Sequence, residues 1–353
     1  MHPTTRQTRI FRITKSNFED TLKEAATIIN SGGLVAFPTE TVYGLGANAL
    51  DKEAVRAVFQ AKGRPADNPL IVHVASKQQC CELALNIPEK AFSLMEKFWP
   101  GPLTLILERQ VIVPDVTTGG LDTVALRMPD NAIAIGLIRE SGKPLAAPSA
   151  NLSGKPSPTN AQHVISDLFG RIDAIIDGGT VDVGVESTVI DMTLEIPSIL
   201  RPGRISQEEI EREIGSVTIG YEDEDCPDPG IIRSPGMKYR HYAPDAAVIL
   251  IEGENDRVVR RIHEMLDDHS RGKIKVGLLL TDESSMVIAH EEQLSLGSKD
   301  RPEELAINLF SGLRYLDARE VDLILVDGSF SHEGIGEAVS NRIRKAAGSI
   351  IVV

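Results

Sequence analysis

The residues of this chain that could do chemistry gather on short loops, each following an apolar, strand-like run. Lys62 and Arg64 flank a glycine, and Asn68 and His73 follow within nine residues of Arg64. A lysine, an arginine fork and an amide donor on one short loop suit a triphosphate where no GxxxxGK[ST] loop is present. Gly154-Lys155 runs into Pro156 and lacks that spacing. Arg127 stands among Val124, Leu126 and Met128, and a buried arginine requires an anion. Thr39, Thr41 and Tyr43 alternate with Glu40 and Val42 before Gly44 and Gly46. Ser149-Ala150-Asn151 with Ser153, Ser187-Thr188, and Arg201-Pro202-Gly203-Arg204 repeat the delivery of polar groups at a strand end, where open α/β sheets place ligands. Each stretch also has a plain reading. Cations at a helix end cap carbonyls, Ser/Pro stretches turn the chain, and a histidine in an apolar strand is as readily a satisfied core residue as a ligand contact. The convergence of several such loops is what argues for a site.

No His/Cys/Asp cluster has transition-metal spacing, and GxSxG is missing from the sequence. Polar groups at strand ends without a covalent nucleophile imply catalysis by positioning. The cysteines, Cys80, Cys81 and Cys226, are odd in number and fit no disulfide framework. The net charge of −14 is spread evenly: residues 1–240 carry 24 Lys/Arg against 31 Asp/Glu, and residues 241–353 carry 13 against 20. A protein that grips nucleic-acid phosphates would show a large basic surplus somewhere. An anion here must be held by a few placed cations.

The elements that must place these groups read as a mixed α/β domain. Leu34–Phe37 is a short apolar run between Gly32-Gly33 and Pro38, hence a buried strand, with Thr39–Gly46 expected as a glycine-relaxed loop. Before it, Ser16 and Glu19 stand at capping-box spacing ahead of an amphipathic helix that Gly32 ends. Asp51 caps a second helix running to Lys62, and the Gly/Pro-rich stretch 63–69 follows. Strands are expected at 70–74, 103–107, 124–128, 145–147, 174–177, 187–192 and 199–201. Helices are expected at 76–85, 89–99 and 131–141, and from a cap at Thr159 to Phe169. At 353 residues with 42% hydrophobic content, two or three domains are expected. The acidic run EDEDCPD at 222–228 and the prolines and glycines after it mark a connector that ends in Lys238-Tyr239-Arg240-His241. From Ala246 strands alternate with helices, which implies a parallel, Rossmann-like three-layer sheet, and without GxGxxG no dinucleotide is expected there. The domains are accordingly 10–220, a connector at 221–244, and 245–353. No apolar run is long enough for a bilayer helix and residues 1–13 lack a signal-peptide core, so a cytoplasmic, enzyme-like protein without a membrane role is expected.

The segments FPTETVYGLG (37–46), KGRPADNPL (62–70), WPGPLT (99–104), LRMPDN (126–131), APSANLSGKPSPT (147–159), ESTVID (186–191), LRPG (200–203) and SPGMKYRHYAP (234–244) together resemble the YrdC-like family in its long, two-domain form. The resemblance spans roughly residues 10–245 and is less specific beyond. It implies a YrdC-like twisted mixed-sheet catalytic domain followed by a smaller Rossmann-like domain. It also implies a reaction in which L-threonine, bicarbonate (or CO2) and ATP give threonylcarbamoyl-AMP and pyrophosphate, the first step toward threonylcarbamoyladenosine beside the anticodon of tRNAs. Matched position by position, Thr41, His73, Arg127, Ser149 and Ser187 hold threonine, with Thr123 a further member. Arg64, Asn68, Ala147, Ser157 and Arg201 hold ATP, and Lys62 and Arg64 are the catalytic cations. Lys238, Tyr239, Arg240 and His241 match a flap over the active site. Mg2+ is expected to ride on ATP phosphates and water, without a protein ligand cage. A downstream tRNA threonylcarbamoyl transferase complex is the implied partner, and contact of this chain with tRNA is not required.

The residues fit such chemistry. Threonine's carboxylate needs a buried cation, for which Arg127 is the candidate. Attack of an N-carboxylated amine on the α-phosphorus brings two anions together, so charge neutralisation and positioning dominate. Two other readings stay open on sequence. One is a carbamoyl-adenylate enzyme that uses carbamoyl phosphate, whose hydrogenase-maturation relatives carry zinc-finger-type cysteine clusters not seen here. The other is a non-catalytic RNA-binding module, against which the acidic charge speaks.

Overall fold

The computed structural model of the chain describes residues 6–220, 242–270 and 274–353. Its contacts divide it into two compact units. The first comprises Met1–Ser153, Pro158–Asp182 and Glu186–Lys238, and the second comprises Gly154–Ser157, Val183–Val185 and Tyr239–Val353.

The first unit is built on a twelve-stranded mixed sheet. Its strands are β1 (Arg9–Arg12), β2 (Val35–Pro38), β3 (Tyr43–Asn48), β4 (Ile71–His73), β5 (Ala84–Leu85), β6 (Leu103–Arg109), β7 (Thr123–Arg127), β8 (Leu145–Ala146), β9 (Ala174–Asp177), β10 (Thr188–Asp191), β11 (Ser198–Arg201) and β12 (Thr218–Ile219). They lie in the order β1-β9-β2-β3-β8-β4-β7-β6-β10-β11-β12, with β5 paired to β6. The helices are α1 (Phe18–Asn30), α2 (Lys52–Lys62), α3 (Lys77–Leu83), α4 (Glu89–Phe98), α5 (Asp115–Thr118), α6 (Ala132–Ser141), α7 (Ala161–Leu168) and α8 (Gln207–Ile214). Strand β2 shows why the apolar run is continuous. Leu34 and Ala36 join one core cluster while Val35 and Phe37 join another, so alternate residues feed opposite faces and both are buried. Each fully buried large side chain contributes roughly 1.5–3 kcal/mol.

Several expectations change in the structure. Thr39–Gly46 is only partly a loop: residues 39–42 turn the chain, and Tyr43 onward pairs antiparallel with β2. The glycines of this stretch answer to a neighbouring ring. A Cβ on Gly46 would lie 2.5 Å from Phe37 Cε1, and one on Gly44 would lie 3.6 Å from Phe37 Cζ and 3.3 Å from Ala147 Cβ. The capping box at Ser16 is not formed; α1 begins after Asn17, whose side chain instead accepts from Thr14 N. Helix α7 is capped by Asn160, one residue after Thr159, through the His163 amide. Asp51 caps α2 as its position predicts, and Asn131, expected as the first residue of a helix, caps α6. Strands β1, β5 and β12 and helices α5 and α8 are additions that their short or polar runs did not signal.

The second unit is a five-stranded parallel sheet. In chain order it contains β13 (Ala247–Glu252), α9 (Asn255–Ser270), β14 (Val276–Leu280), α10 (Asp282–Ser285), β15 (Gln293–Ser295), α11 (Pro302–Ala318), β16 (Leu323–Asp327), α12 (Ile335–Ala346) and β17 (Ser349–Val352). The strand order β15-β14-β16-β13-β17 is that of an open α/β sheet. Val258, Ile262 and Met265 of α9 cover one face through Leu278, Leu280, Leu323 and Leu325. Glycines 277 and 312 let Leu316 of α11 and Leu279 of β14 approach on the other face, which completes three layers.

Candidate active site

Parallel pairing of β4 with β7 sets His73 directly beside Arg127 at the C-terminal ends of both strands. Arg127 is 3% exposed. Its Nη1 donates to Thr41 Oγ1 at 2.9 Å and its Nε to the Gly101 carbonyl at 3.3 Å. Its Nη2 lies 2.7 Å from Glu40 Oε2, an ion pair too poorly aligned to be a hydrogen bond. Thr41 is fixed in turn by Thr39, whose Oγ1 lies 2.8 Å from Thr41 Oγ1 and donates to the Val42 carbonyl. The turn at 39–42 therefore presents a hydroxyl and a carboxylate to one buried guanidinium.

His73 is buried edge-on to Phe37. Burial, and secondarily the neighbouring Arg127 charge, push its pKa down to about 3, so the imidazole is neutral throughout the physiological range. Its Nδ1 is buried and has no hydrogen-bond partner among the described residues. Ser187, the residue before β10, has its hydroxyl 2.8 Å from Thr104 Oγ1, and Arg201 clamps it by donating from Nη2 to Oγ at 3.1 Å and from Nε to the Ser187 carbonyl at 3.0 Å. Arg201, itself expected to hold ATP, thus supports a residue expected to hold threonine.

Helix α2 ends at Lys62, with Gly63 in the left-handed conformation that turns the chain away. The Lys62 ammonium is buried and donates to the Ser149 carbonyl and, at 2.6 Å, to the Asn151 carbonyl, so it ties down the 149–151 loop. Ser149 Oγ donates to Asn151 Oδ1 at 2.5 Å. Ala147 N donates to the Ile71 carbonyl, and Gly44 bridges to Ser149, which brings that loop alongside the 39–42 turn. Arg64 lies over Phe59, its Cζ 6.0 Å from the ring centroid. Asn68 is fully buried, yet neither its amide nitrogen nor its amide oxygen has a hydrogen-bond partner among the described residues.

Thr41, His73 and Arg127 are in direct contact or register, and Ser149, Lys62, Ser187 and Arg201 form two hydrogen-bonded groups within the same unit. Thr123 is kept apart from Arg127: it opens β7 where Arg127 closes it, four residues or about 13 Å along the strand. Ser157 is fully buried and belongs to the second unit. Lys238, Tyr239, Arg240 and His241 lie outside the described residues. Sequence reasoning passed over Glu40 and Thr104. Glu40 was the readable one, an acid set between two threonines directly after an apolar strand.

Residues 205–348 match the family model described as Threonylcarbamoyl-AMP synthase, C-terminal domain, and residues 27–203 match the Sua5/YciO/YrdC model described as Telomere recombination. The threonylcarbamoyl-AMP synthase of Pyrococcus abyssi is 52% identical over 338 residues, 94% of this chain and 95% of that protein. The chain belongs to the threonylcarbamoyl-AMP synthase family. It is accordingly an enzyme, a nucleotidyltransferase. The Bacillus subtilis member of the family is 48% identical over 94% of both chains. The crystal structure of P. abyssi Sua5 complexed with L-threonine is similar with a TM-score of 0.90 and 51% identity, covering 98% of each chain. Escherichia coli YciO matches over 56% of this chain and 95% of its own, with a TM-score of 0.50 and 25% identity. Among the described residues no helix is long and apolar enough to cross a membrane.

The neutral His73 has a measurable consequence. Unfolded histidine titrates near pH 6.5 while His73 resists protonation down to about 3, so the fold loses stability as pH falls through that window. Chemical unfolding at about pH 7 and about pH 5 should show that His73→Asn loses roughly 2 kcal/mol less than wild type between the two. Equal losses would place the His73 imidazole in a protonatable setting.

Proposed function

We propose that this enzyme joins L-threonine, bicarbonate and ATP, taken as MgATP, into L-threonylcarbamoyladenylate with release of pyrophosphate. We further propose that the product supplies the threonylcarbamoyl group added beside the anticodon of tRNAs, through a downstream transferase complex in the cytoplasm. The observation that carries the reading is the buried Arg127, held at a strand end among Thr41, Glu40 and a neutral His73. An amino acid's carboxylate meets there a cation that already lacks water, which makes the pairing strong and selective. The Ser187 and Thr41 hydroxyls can both donate and accept, as a substrate hydroxyl requires.

The amine of threonine, once carboxylated, carries a negative oxygen that must reach the α-phosphorus as the bond to the β-phosphate breaks. Repulsion between those anions is the chief obstacle, and positioning with charge neutralisation removes it. In this reading Arg64 and the Asn68 amide meet the nucleotide. Lys62 contributes its charge while bracing the 149–151 loop, and Arg201 contributes its guanidinium while holding Ser187. In this reading magnesium rides on phosphate oxygens and water. Contact with tRNA is not required, since a small-molecule product carries the group to be transferred.

Pyrophosphate release from MgATP tests the reading. It should need L-threonine and bicarbonate together, with L-serine a poorer substitute. Release driven by carbamoyl phosphate would move the enzyme to carbamoyl-adenylate chemistry, and no release under any condition would favour a binding module. Asn68→Ala separates binding from folding. Removing a buried amide with no partner should leave stability unchanged or raise it by up to about 1 kcal/mol, while weakening ATP about tenfold or more. A variant that unfolds, or that binds ATP as wild type does, would contradict the role given to Asn68.

A further inference from the structure

We infer that Glu40 holds the α-amino group of the substrate, so that Arg127 and Glu40 form a two-sided clamp for a zwitterion. The inference rests on the threonine reading of this site and assigns the half of the amino-acid head group that the expected residues leave without a counter-charge.

Glu40 is 5% exposed, and both of its carboxylate oxygens are buried without a hydrogen-bond partner among the described residues. An ionised carboxylate offers about four acceptor positions, and leaving them dry in an interior is costly unless a donor arrives. Its backbone is fixed, since the Glu40 carbonyl accepts from Asp182 N at 3.2 Å. Arg127 does not supply the missing hydrogen bonds. An arginine held for its own sake by a carboxylate takes up a two-pronged, in-line geometry. Here Nη2 stands 2.7 Å from Glu40 Oε2 without making a hydrogen bond, while Nη1 and Nε are already committed to Thr41 and Gly101. The carboxylate is therefore turned toward something else.

The chemistry of that occupant follows from the charges. In an α-amino acid the carboxylate and the ammonium flank one carbon, so their partners must also lie side by side, as the Arg127 and Glu40 side chains do. The pair also selects against the other substrate. A lone buried arginine would accept a phosphate as readily as a carboxylate, but beside Glu40 a multiply charged phosphate is repelled and a zwitterion is not. Neutral His73 adds no charge to upset that balance.

Calorimetric titration of the full-length chain tests the clamp with two ligands: L-threonine and the 2,3-dihydroxybutanoate of matching configuration, in which a hydroxyl replaces the ammonium. Wild type should prefer threonine by about 10- to 100-fold. Glu40→Gln should lose that preference through weaker threonine binding alone, with dihydroxybutanoate changed by less than about threefold. Glu40→Asp, which keeps the charge but shortens the reach, should fall between the two. Equal binding of both ligands by wild type would overturn the clamp whatever the variants do. So would a Glu40→Gln protein that weakens both ligands alike, since that is what a merely structural acid produces. Wild type that binds no threonine at all would instead refute the threonine reading of the site, whereas threonine binding indifferent to Glu40 would refute the clamp alone.

Discussion

The constraint on which the first unit turns is a guanidinium kept out of water. Arg127 sits at the end of a central strand, 3% exposed, and a charge so placed must be surrounded by groups that were positioned before any ligand arrives. The turn at 39–42 brings Glu40 and Thr41 to it, β4 brings a histidine that burial keeps neutral, and the Gly101 carbonyl holds the third nitrogen. None of these groups alone makes a site. Together they leave a cation, an anion and a hydroxyl facing one place, with the cost of desolvating them already met by the fold.

Around that centre the same logic recurs with two more buried cations. Lys62 braces the loop at 149–151 through its carbonyls, and Arg201 braces Ser187. Two cations expected to meet substrate thus also set the geometry of their neighbours, so replacing either one disturbs more than its own contact. Gly203 is tight for the same reason: a Cβ there would lie 2.1 Å from Thr188 N, against the backbone that presents Ser187. Among the described residues, the Asn68 amide, His73 Nδ1 and the Glu40 carboxylate are buried in the first unit without hydrogen-bond partners, and Glu252 Oε1 and Ser285 Oγ are so in the second.

Much of this was legible in the chain itself. The apolar run Leu34–Phe37, the Asp51 cap, and the alternation of strands and helices after Ala246 are patterns that local physics dictates. An arginine among aliphatic residues announced a buried charge. Other features were not legible, because they depend on what lies across the sheet. Gly44 and Gly46 read as signs of a flexible loop, yet they are glycines because the Phe37 ring and Ala147 occupy the space a side chain would need. Glu40 read as a spacer in an alternating stretch, and only the approach of β7 shows its partner. Thr123 was grouped with Arg127 by resemblance, while the strand that joins them holds them at opposite ends.

The most direct test is the effect of ligands on unfolding, with L-threonine compared against L-threoninol, whose carboxylate is reduced to an alcohol. If Arg127 is held for a carboxylate, threonine at about a hundred times its dissociation constant raises the unfolding free energy by about 2.7 kcal/mol, and threoninol at the same concentration leaves it nearly unchanged. Equal stabilisation by both would contradict the account, because the buried guanidinium at the end of β7 would then have no part in recognising the substrate.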